Sequence, residues 1–170
     1  MPVQEGVAEW MGDTKVVRRG KTLITPEAAG ALAPRLLPGD VLIERREWFL
    51  SNVGLPGFWP HAALYVGTPE ERLKAFGPEF EAKLKERYPK AYADSLKPEN
   101  GHPTRVLEAM SEGVVFTALE HSAAADSTAV LRPRLDAKEK AEAILRAFAY
   151  AGRPYDYDFD FRTDAAIVCS

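Results

Sequence analysis

The segment HAALYVG, residues 61–67, is a short apolar run that opens with a histidine and closes with a glycine. Such a run, bounded by turn residues, is typical of a buried strand. A histidine at the start of a buried strand can face a cleft, where its ring is able to act as a base. His61 is therefore the first candidate for chemistry, while an ordinary capped or buried histidine fits the same pattern.

A candidate partner for His61 lies far along the chain, at Cys169. It is the one cysteine of the sequence, and it follows the alternating aromatic and acidic run PYDYDFDF, residues 154–161. One cysteine cannot form a disulfide within the chain, so it serves either packing or reactivity. A thiol and a distant histidine that folding brings together are the basis of a thiol hydrolase. By spacing alone, a small buried cysteine remains the alternative.

Strand-like runs flank residues 61–67 on both sides. Five predicted strands share an apolar run bounded by polar or turn residues, at 41–44, 61–67, 105–110, 113–117 and 127–131. Sequential strands of this kind usually pair antiparallel. Asp136 is a candidate N-cap for a helix that runs to about Ala151, with an apolar stripe on one side. The pattern predicts an α+β fold in which a small antiparallel sheet packs with helices.

A charged insertion, residues 68–104, separates the predicted strands. Apolar residues recur in it at helical spacing, at Leu73, Phe76, Phe80, Leu84 and Tyr88. The pair Gly77 and Pro78 is expected to break this helix into two pieces. Such an insertion forms either a lid over a cleft or a surface excursion, and we expect the excursion. With residues 1–35 as an N-terminal extension, the whole chain is predicted to be a single domain.

Composition excludes several classes of function. The chain has 170 residues, 46% of them hydrophobic, and a formal net charge of −3, so a nucleic-acid partner is not expected. No segment approaches the roughly 18 consecutive apolar residues that an integral membrane segment needs. Residues 1–20 contain acidic side chains and lack the apolar core of a signal peptide, which favours a cytoplasmic protein. The oligomeric state is left open.

Known cofactor and metal motifs are missing from the sequence. Zinc, phosphate-loop and dinucleotide patterns are absent, so we predict no cofactor and no metal. The aspartates after residue 155 are not a calcium loop, because Phe161 stands where a glycine is needed and Ile167 where a glutamate is needed. His102 and His121 have no second ligand at suitable spacing and are expected to be solvated surface histidines.

Three motifs occur together in a recognisable order. They are the run PGDV (38–41) that opens a strand, His61 at the head of a strand, and Tyr155-Asp156 before Cys169-Ser170. This order resembles that of the circularly permuted NlpC-type papain-like cysteine hydrolases, the YiiX-like proteins, which are related in fold to the lecithin retinol acyltransferases. The resemblance covers residues 37–170 and implies a circularly permuted papain-like fold. Small peptides or acyl compounds are the substrates that it implies.

The resemblance also implies roles for individual residues. Cys169 matches the nucleophile, His61 the base, and Glu108, inside the apolar run at 105–110, the residue that orients the histidine. Glu108 is unusual in its own right, because a buried carboxylate needs a partner. An outward-facing strand position is the alternative for it. Trp59, Tyr65 and Tyr155, which lie in or beside these motifs, are the predicted substrate contacts.

Three functions remain open at this point. The leading one is hydrolysis of an amide bond in cell-wall-type or other small peptides through a Cys-His-Glu triad. Lipid acyl transfer or thioester hydrolysis is the second, favoured if the aromatic loop at residues 48–59 forms an exposed apolar groove. A noncatalytic ligand-binding module is the third, because the helix that starts at the nucleophile in that family has no counterpart before the sequence ends at Ser170.

Overall fold

A single antiparallel sheet runs through the part of the protein described by the computed structural model, residues 22–47 and 57–155. Its strands within these residues are β1 (Val41–Arg45), β2 (His61–Tyr65), β3 (Thr104–Met110), β4 (Gly113–Ala118) and β5 (Ser127–Leu131). They are ordered β4-β3-β2-β1-β5 across the sheet, so β1 and β2 are both interior strands. All five predicted strands are confirmed, and the antiparallel α+β class with them.

Six helices surround this sheet in the same residues. They are α1 (Pro26–Gly30), α2 (Pro69–Phe76), α3 (Pro78–Arg87), α4 (Pro89–Asp94), α5 (Leu119–Ser122) and α6 (Ala137–Phe148). Local sequence explains where the two best-defined helices begin. Thr68 and Glu71 form a reciprocal capping box at the start of α2, as do Asp136 and Glu139 at the start of α6. The predicted N-cap role of Asp136 is confirmed.

The two faces of the sheet carry separate parts of the core, because side chains alternate along each strand. On one face, Leu107, Val114 and Val66 pack with α3 and α6. We call the other face the site face, since it also carries His61. There Leu42, Ala63, Tyr65 and Val106 pack against α1, α5 and the segment that follows α5.

The insertion at residues 68–104 is built into the core. Phe80 and Leu84 are buried and pack with Ile144, Leu145 and Phe148 of α6. The expectation of a mere surface excursion is therefore wrong, since this segment covers one face of the sheet. The predicted break at Gly77 is confirmed, and a third helix follows at Pro89. The boundaries of residues 1–35 as an extension and 68–104 as an insertion remain predictions.

Helix α2 turns a different side to the core from the one that its apolar residues predict. Leu73 is 47% exposed, whereas the neighbouring Arg72 is completely buried. The Arg72 guanidinium donates to Glu81 of α3 at 2.5 Å and to the carbonyl oxygen of Gly67 at 2.7 Å, and it stacks over the ring of Phe148. This set of contacts holds Arg72 on the core side of α2 and leaves Leu73 on its outer side.

A close backbone contact holds the chain as it leaves α6. The N–H of Val114 donates to the carbonyl oxygen of Arg153 at 2.9 Å, and the N–H of Gly152 donates back to Val114 at 2.8 Å. Gly113 allows this approach because its φ is 115° and it has no Cβ. A Cβ at Gly113 would overlap the carbonyl oxygen of Arg153. The segment that leads to Tyr155 is thereby fixed beside the start of β4.

We expect Gly113→Ala to lower the free energy of unfolding by about 2 kcal/mol or more, because the overlap adds to the cost of a left-handed alanine. Chemical denaturation of the purified variant measures this loss. Gly101→Ala is the matched control, since Gly101 has a φ of 82° and no atom within 4 Å of the added Cβ. Equal losses in the two variants would show that the contact with Arg153 contributes nothing.

Candidate active site

One end of the sheet brings together the polar side chains of the site face. Glu108 on β3 lies opposite Ala63 of β2, so His61 sits diagonally across from it, two residues along β2. Thr117 on β4 also lies diagonally across from Glu108. Its register partner on β3 is Val106, two residues before Glu108. Diagonal neighbours on one face are within reach of long side chains. Strand register therefore assembles His61, Glu108 and Thr117 in a row.

These three side chains form a continuous hydrogen-bonded chain. His61 Nε2 and Glu108 Oε2 are 2.6 Å apart, and the hydroxyl of Thr117 donates to the other carboxylate oxygen. Glu108 is 3% exposed, and the side chain of His61 is 20% exposed. A buried carboxylate costs free energy unless hydrogen bonds satisfy it, and here both oxygens are occupied. Glu108 does not face outward, and the prediction that a carboxylate in this strand needs a partner is confirmed.

The surroundings of Glu108 keep it ionised. Burial acts to raise the pKa of Glu108, but the hydrogen bond and charge of His61, together with the Thr117 hydroxyl, outweigh it and hold the pKa at about 2. An ionised carboxylate accepts a hydrogen bond from the Nε2–H group of the imidazole. It thereby fixes the ring orientation and favours its positively charged form.

A second buried carboxylate, Glu44, also belongs to this end of the sheet. It lies on β1 directly opposite His61 and is 1% exposed. The hydroxyl of Ser122 on α5 donates to its Oε1 at 3.0 Å, and the Arg46 guanidinium lies 3.5 Å from its Oε2. Burial and the nearby charge of Glu108 raise the pKa of Glu44 to about 7. Sequence analysis missed Glu44, although an acid at the end of the apolar run VLI gives the same signal that singled out Glu108.

Neither a metal site nor a membrane-spanning helix is found among the described residues. Among residues 22–47 and 57–155, no group of three or more His, Cys, Asp or Glu side chains is placed to hold a metal ion. No helix in those ranges has the length and apolar character to cross a membrane. His102 and His121 are about half exposed, and each lies beside a glutamate, Glu120 and Glu99 respectively.

Comparison with known families identifies the fold and the class of chemistry. A sequence model of the permuted papain-like amidase enzymes, the YaeF/YiiX group or C92 family, matches residues 35–170. The chain belongs to this family. Comparison with curated proteins and with solved structures gave no match. The match confirms the predicted family and the papain-like fold class, and it supports an amidase that uses a cysteine.

The range matched by the family, residues 35–170, contains all three predicted catalytic residues. The structure brings two of them together, His61 and Glu108. Cys169 lies outside the described residues, and its catalytic role remains a prediction. The matched range also includes α2, α3 and α4.

The three predicted substrate contacts occupy different environments. Tyr65 is completely buried, and its hydroxyl donates to Glu71 at 3.0 Å. This burial favours packing over substrate contact for Tyr65. Trp59 is 39% exposed two residues before His61, and its ring packs edge-on against Phe58 with centroids 4.9 Å apart. Tyr155 is half-buried and follows the segment that Gly113 holds against β4.

Proposed function

We propose that this member of the family is a cysteine amidase that cuts an amide bond in cell-wall-type or other small peptides. Cys169 is the nucleophile, His61 the general base and acid, and Glu108 the residue that orients the imidazole. The observation that carries the proposal is the buried contact of 2.6 Å between His61 Nε2 and Glu108 Oε2. A fully satisfied carboxylate behind a partly exposed imidazole is the base–orienter pair of nucleophilic catalysis.

This contact supports Nδ1 as the nitrogen of His61 that exchanges a proton with the thiol. Because Nε2 is engaged by Glu108, the proton of the Cys169 thiol is taken up at Nδ1. The thiolate then attacks the carbonyl carbon of the amide and gives a tetrahedral oxyanion. When this collapses, the carbon–nitrogen bond breaks and His61 gives its proton to the departing amine. Water, deprotonated by His61, attacks the thioester and releases the carboxylic acid and the thiol.

Trp59 and Tyr155 are proposed to contact the substrate near His61. Trp59 is two residues from His61 in the chain, and its ring remains partly exposed. Aromatic rings of this kind supply large apolar contact areas at low cost in conformational entropy. The edge-on pair of exposed rings, Phe58 and Trp59, is also the observation that favours the second candidate, acyl transfer or thioester hydrolysis. Phe58 is 54% exposed, which suits an acyl chain.

Alkylation of Cys169 tests the amidase proposal. The rate of labelling by iodoacetamide is measured by mass spectrometry as a function of pH in the wild-type chain and in His61→Ala. We expect fast labelling of the wild type near about pH 6, and a loss of about 10- to 100-fold in His61→Ala, since a free thiol has a pKa of about 8.5. His102→Ala is the matched control, because His102 is exposed and interacts with Glu120.

Labelling that rises only near about pH 8.5 in both chains would contradict an activated thiol and leave the noncatalytic binding module. A substrate screen then separates the two enzymatic candidates. Small peptide amides and fatty-acyl thioesters are offered to the same preparation, with Cys169→Ala as the inactive chain. Turnover of the acyl thioesters alone would favour the second candidate over the amidase.

A further inference from the structure

Glu44 is a buried acid that the proposed mechanism does not use. Its side chain is almost fully enclosed, and only one of its oxygens, Oε1, accepts a hydrogen bond within the described part of the chain. Oε2 lies in a buried position with the Arg46 guanidinium at 3.5 Å. A buried, incompletely satisfied carboxyl is costly, and a structural acid is seldom kept in this state. Its position in the sheet indicates what it does.

The register of β1 and β2 places Glu44 against His61. The two residues are direct partners on neighbouring antiparallel strands, while Glu108 approaches His61 from β3 on the opposite side. Direct partners of this kind have Cβ atoms about 5 Å apart. His61 therefore stands between two buried carboxyl groups, one on each neighbouring strand.

We propose that Glu44 is a positioning residue that acts through His61: its ionised carboxylate stabilises the imidazolium from the β1 side, so that His61 stays protonated to higher pH than Glu108 alone would allow. The inference rests on the proposed function, because a protonated His61 is the acid that protonates the departing amine. A neutral Glu44 loses this effect. Protonation of Glu44 thus sets how strongly the site holds its imidazolium.

The charged groups around Glu44 agree with this arrangement. Those that face it are His61 from β2, Glu108 from β3 and Arg46 at the end of its own strand. The groups facing it from the other packed elements do not titrate in this range: Thr128 is its register partner on β5, and Ser122 approaches from α5. His61 lowers the pKa of Glu44, although burial and Glu108 raise it further. Coupling between two titrating groups is reciprocal, so an ionised Glu44 must favour protonated His61.

The test follows the titration of the histidine rings by NMR in the full chain. The sequence has three histidines, so His102 serves as an internal control in every spectrum. In Glu44→Gln we expect the protonation midpoint of His61 to fall by about one pH unit, a tenfold loss in its affinity for a proton, while that of His102 stays unchanged. An unchanged His61 midpoint would overturn the proposal.

A second variant leaves the carboxyl in place. The hydroxyl of Ser122 lowers the pKa of Glu44. Ser122→Ala is therefore expected to move the titration of the Glu44 carboxyl, followed by its side-chain carbon signal, to higher pH. Ionisation of Glu44 favours protonated His61. The pH at which the His61 signal reports this effect should therefore shift upward by the same amount as the Glu44 titration. If Glu44 shifts while His61 does not, the two groups are uncoupled and the proposal fails.

Two further readouts exclude a merely structural role. A buried acid whose pKa is raised from 4.5 to about 7 favours folding below its unfolded value, and this contribution is lost as pH rises through 7. At about pH 8, Glu44→Gln should therefore be more stable than the wild type, yet turn over substrate about 3- to 10-fold more slowly. Near about pH 5.5 the two chains should turn over substrate at similar rates, because the Glu44 carboxyl of the wild type is then neutral, like the glutamine amide of the variant. A rate loss that is equal at both pH values would overturn the proposal.

The NMR titration is repeated in Cys169→Ala, which separates this proposal from the function of the site. A failure of thiol activation would appear in the alkylation experiment and leave the His61 and Glu44 titrations measurable. A failure of the coupling would appear in the titrations and leave the alkylation result standing.

Discussion

Glu108→Gln is expected to lower the rate of amide hydrolysis by about 10²- to 10⁴-fold, the loss seen when the acid of a catalytic triad becomes an amide. The amide keeps the shape of the side chain but removes the negative charge that stabilises the imidazolium. Its NH₂ group also favours the ring tautomer with the proton on the wrong nitrogen when it faces Nε2. The measurement is kcat/KM on whichever substrate the screen identifies, together with the rate of Cys169 alkylation at about pH 6.

Glu112→Gln is the matched control for this prediction. Glu112 is an exposed residue of the same β3–β4 hairpin, and the same change there should leave both rates unaltered. Stability distinguishes a chemical defect from unfolding. The pKa of Glu108 is lowered from 4.5 to about 2, so its contribution to stability is present above its unfolded value and lost as pH falls through about 2. A folded Glu108→Gln chain with wild-type rates would remove Glu108 from the proposed triad.

Arg72→Ala is expected to lower the free energy of unfolding by about 3–5 kcal/mol, because it removes one partner of a buried ion pair. Arg72 is fully enclosed, and the side chain of Glu81 is only 12% exposed. The substitution leaves Glu81 without its cation, frees the carbonyl of Gly67, and opens a cavity beside Phe148. Chemical denaturation at neutral pH gives the loss directly.

Arg146→Ala is the control for Arg72. Arg146 pairs with Glu142 on the surface of α6 at 3.2 Å, and the side chain of Arg146 is 76% exposed. Surface pairs of this kind contribute about 0–1 kcal/mol, so this variant should stay close to the wild type. A similar small loss for Arg72→Ala would show that packing around Arg72 relaxes to replace its hydrogen bonds. Glu81→Gln then tests the pair from its other side.

The strands and the long amphipathic helix could be predicted from the sequence, because both depend on local periodicity. Ile144, Leu145 and Phe148 are all buried, as the stripe on α6 predicts. The position of α2 could not be predicted in this way. An arginine in a charged segment looks like a solvated residue. Its burial depends on Glu81, nine residues later in the next helix, and on Phe148, which is distant along the chain. Tertiary contacts therefore determine that Arg72, and not Leu73, is the buried residue of α2.

The candidate site also combines residues that could be predicted from the sequence with residues that could not. His61 and Glu108 could be predicted because each is an ionisable residue in an apolar strand, and the family resemblance gave each a role. Thr117 and Glu44 joined the site only through strand register, since β4 and β1 lie on either side of the β2–β3 pair. An order of β4-β3-β2-β1-β5 cannot be read from residues that alternate in much the same way on every strand. The burial of Tyr65 likewise followed from which face of β2 receives α1 and α5.

The position of the sheet within the chain has a consequence for biosynthesis. The five strands found in the described residues lie between Val41 and Leu131, and the proposed nucleophile comes later, at Cys169. Synthesis runs from the N-terminus, and domains begin to fold while the chain is still being made. His61 and Glu108 are thus translated before the thiol that they would serve in the proposed mechanism. A chain released before residue 169 would contain the proposed base but not the proposed nucleophile, so under the proposed mechanism it could not cleave an amide.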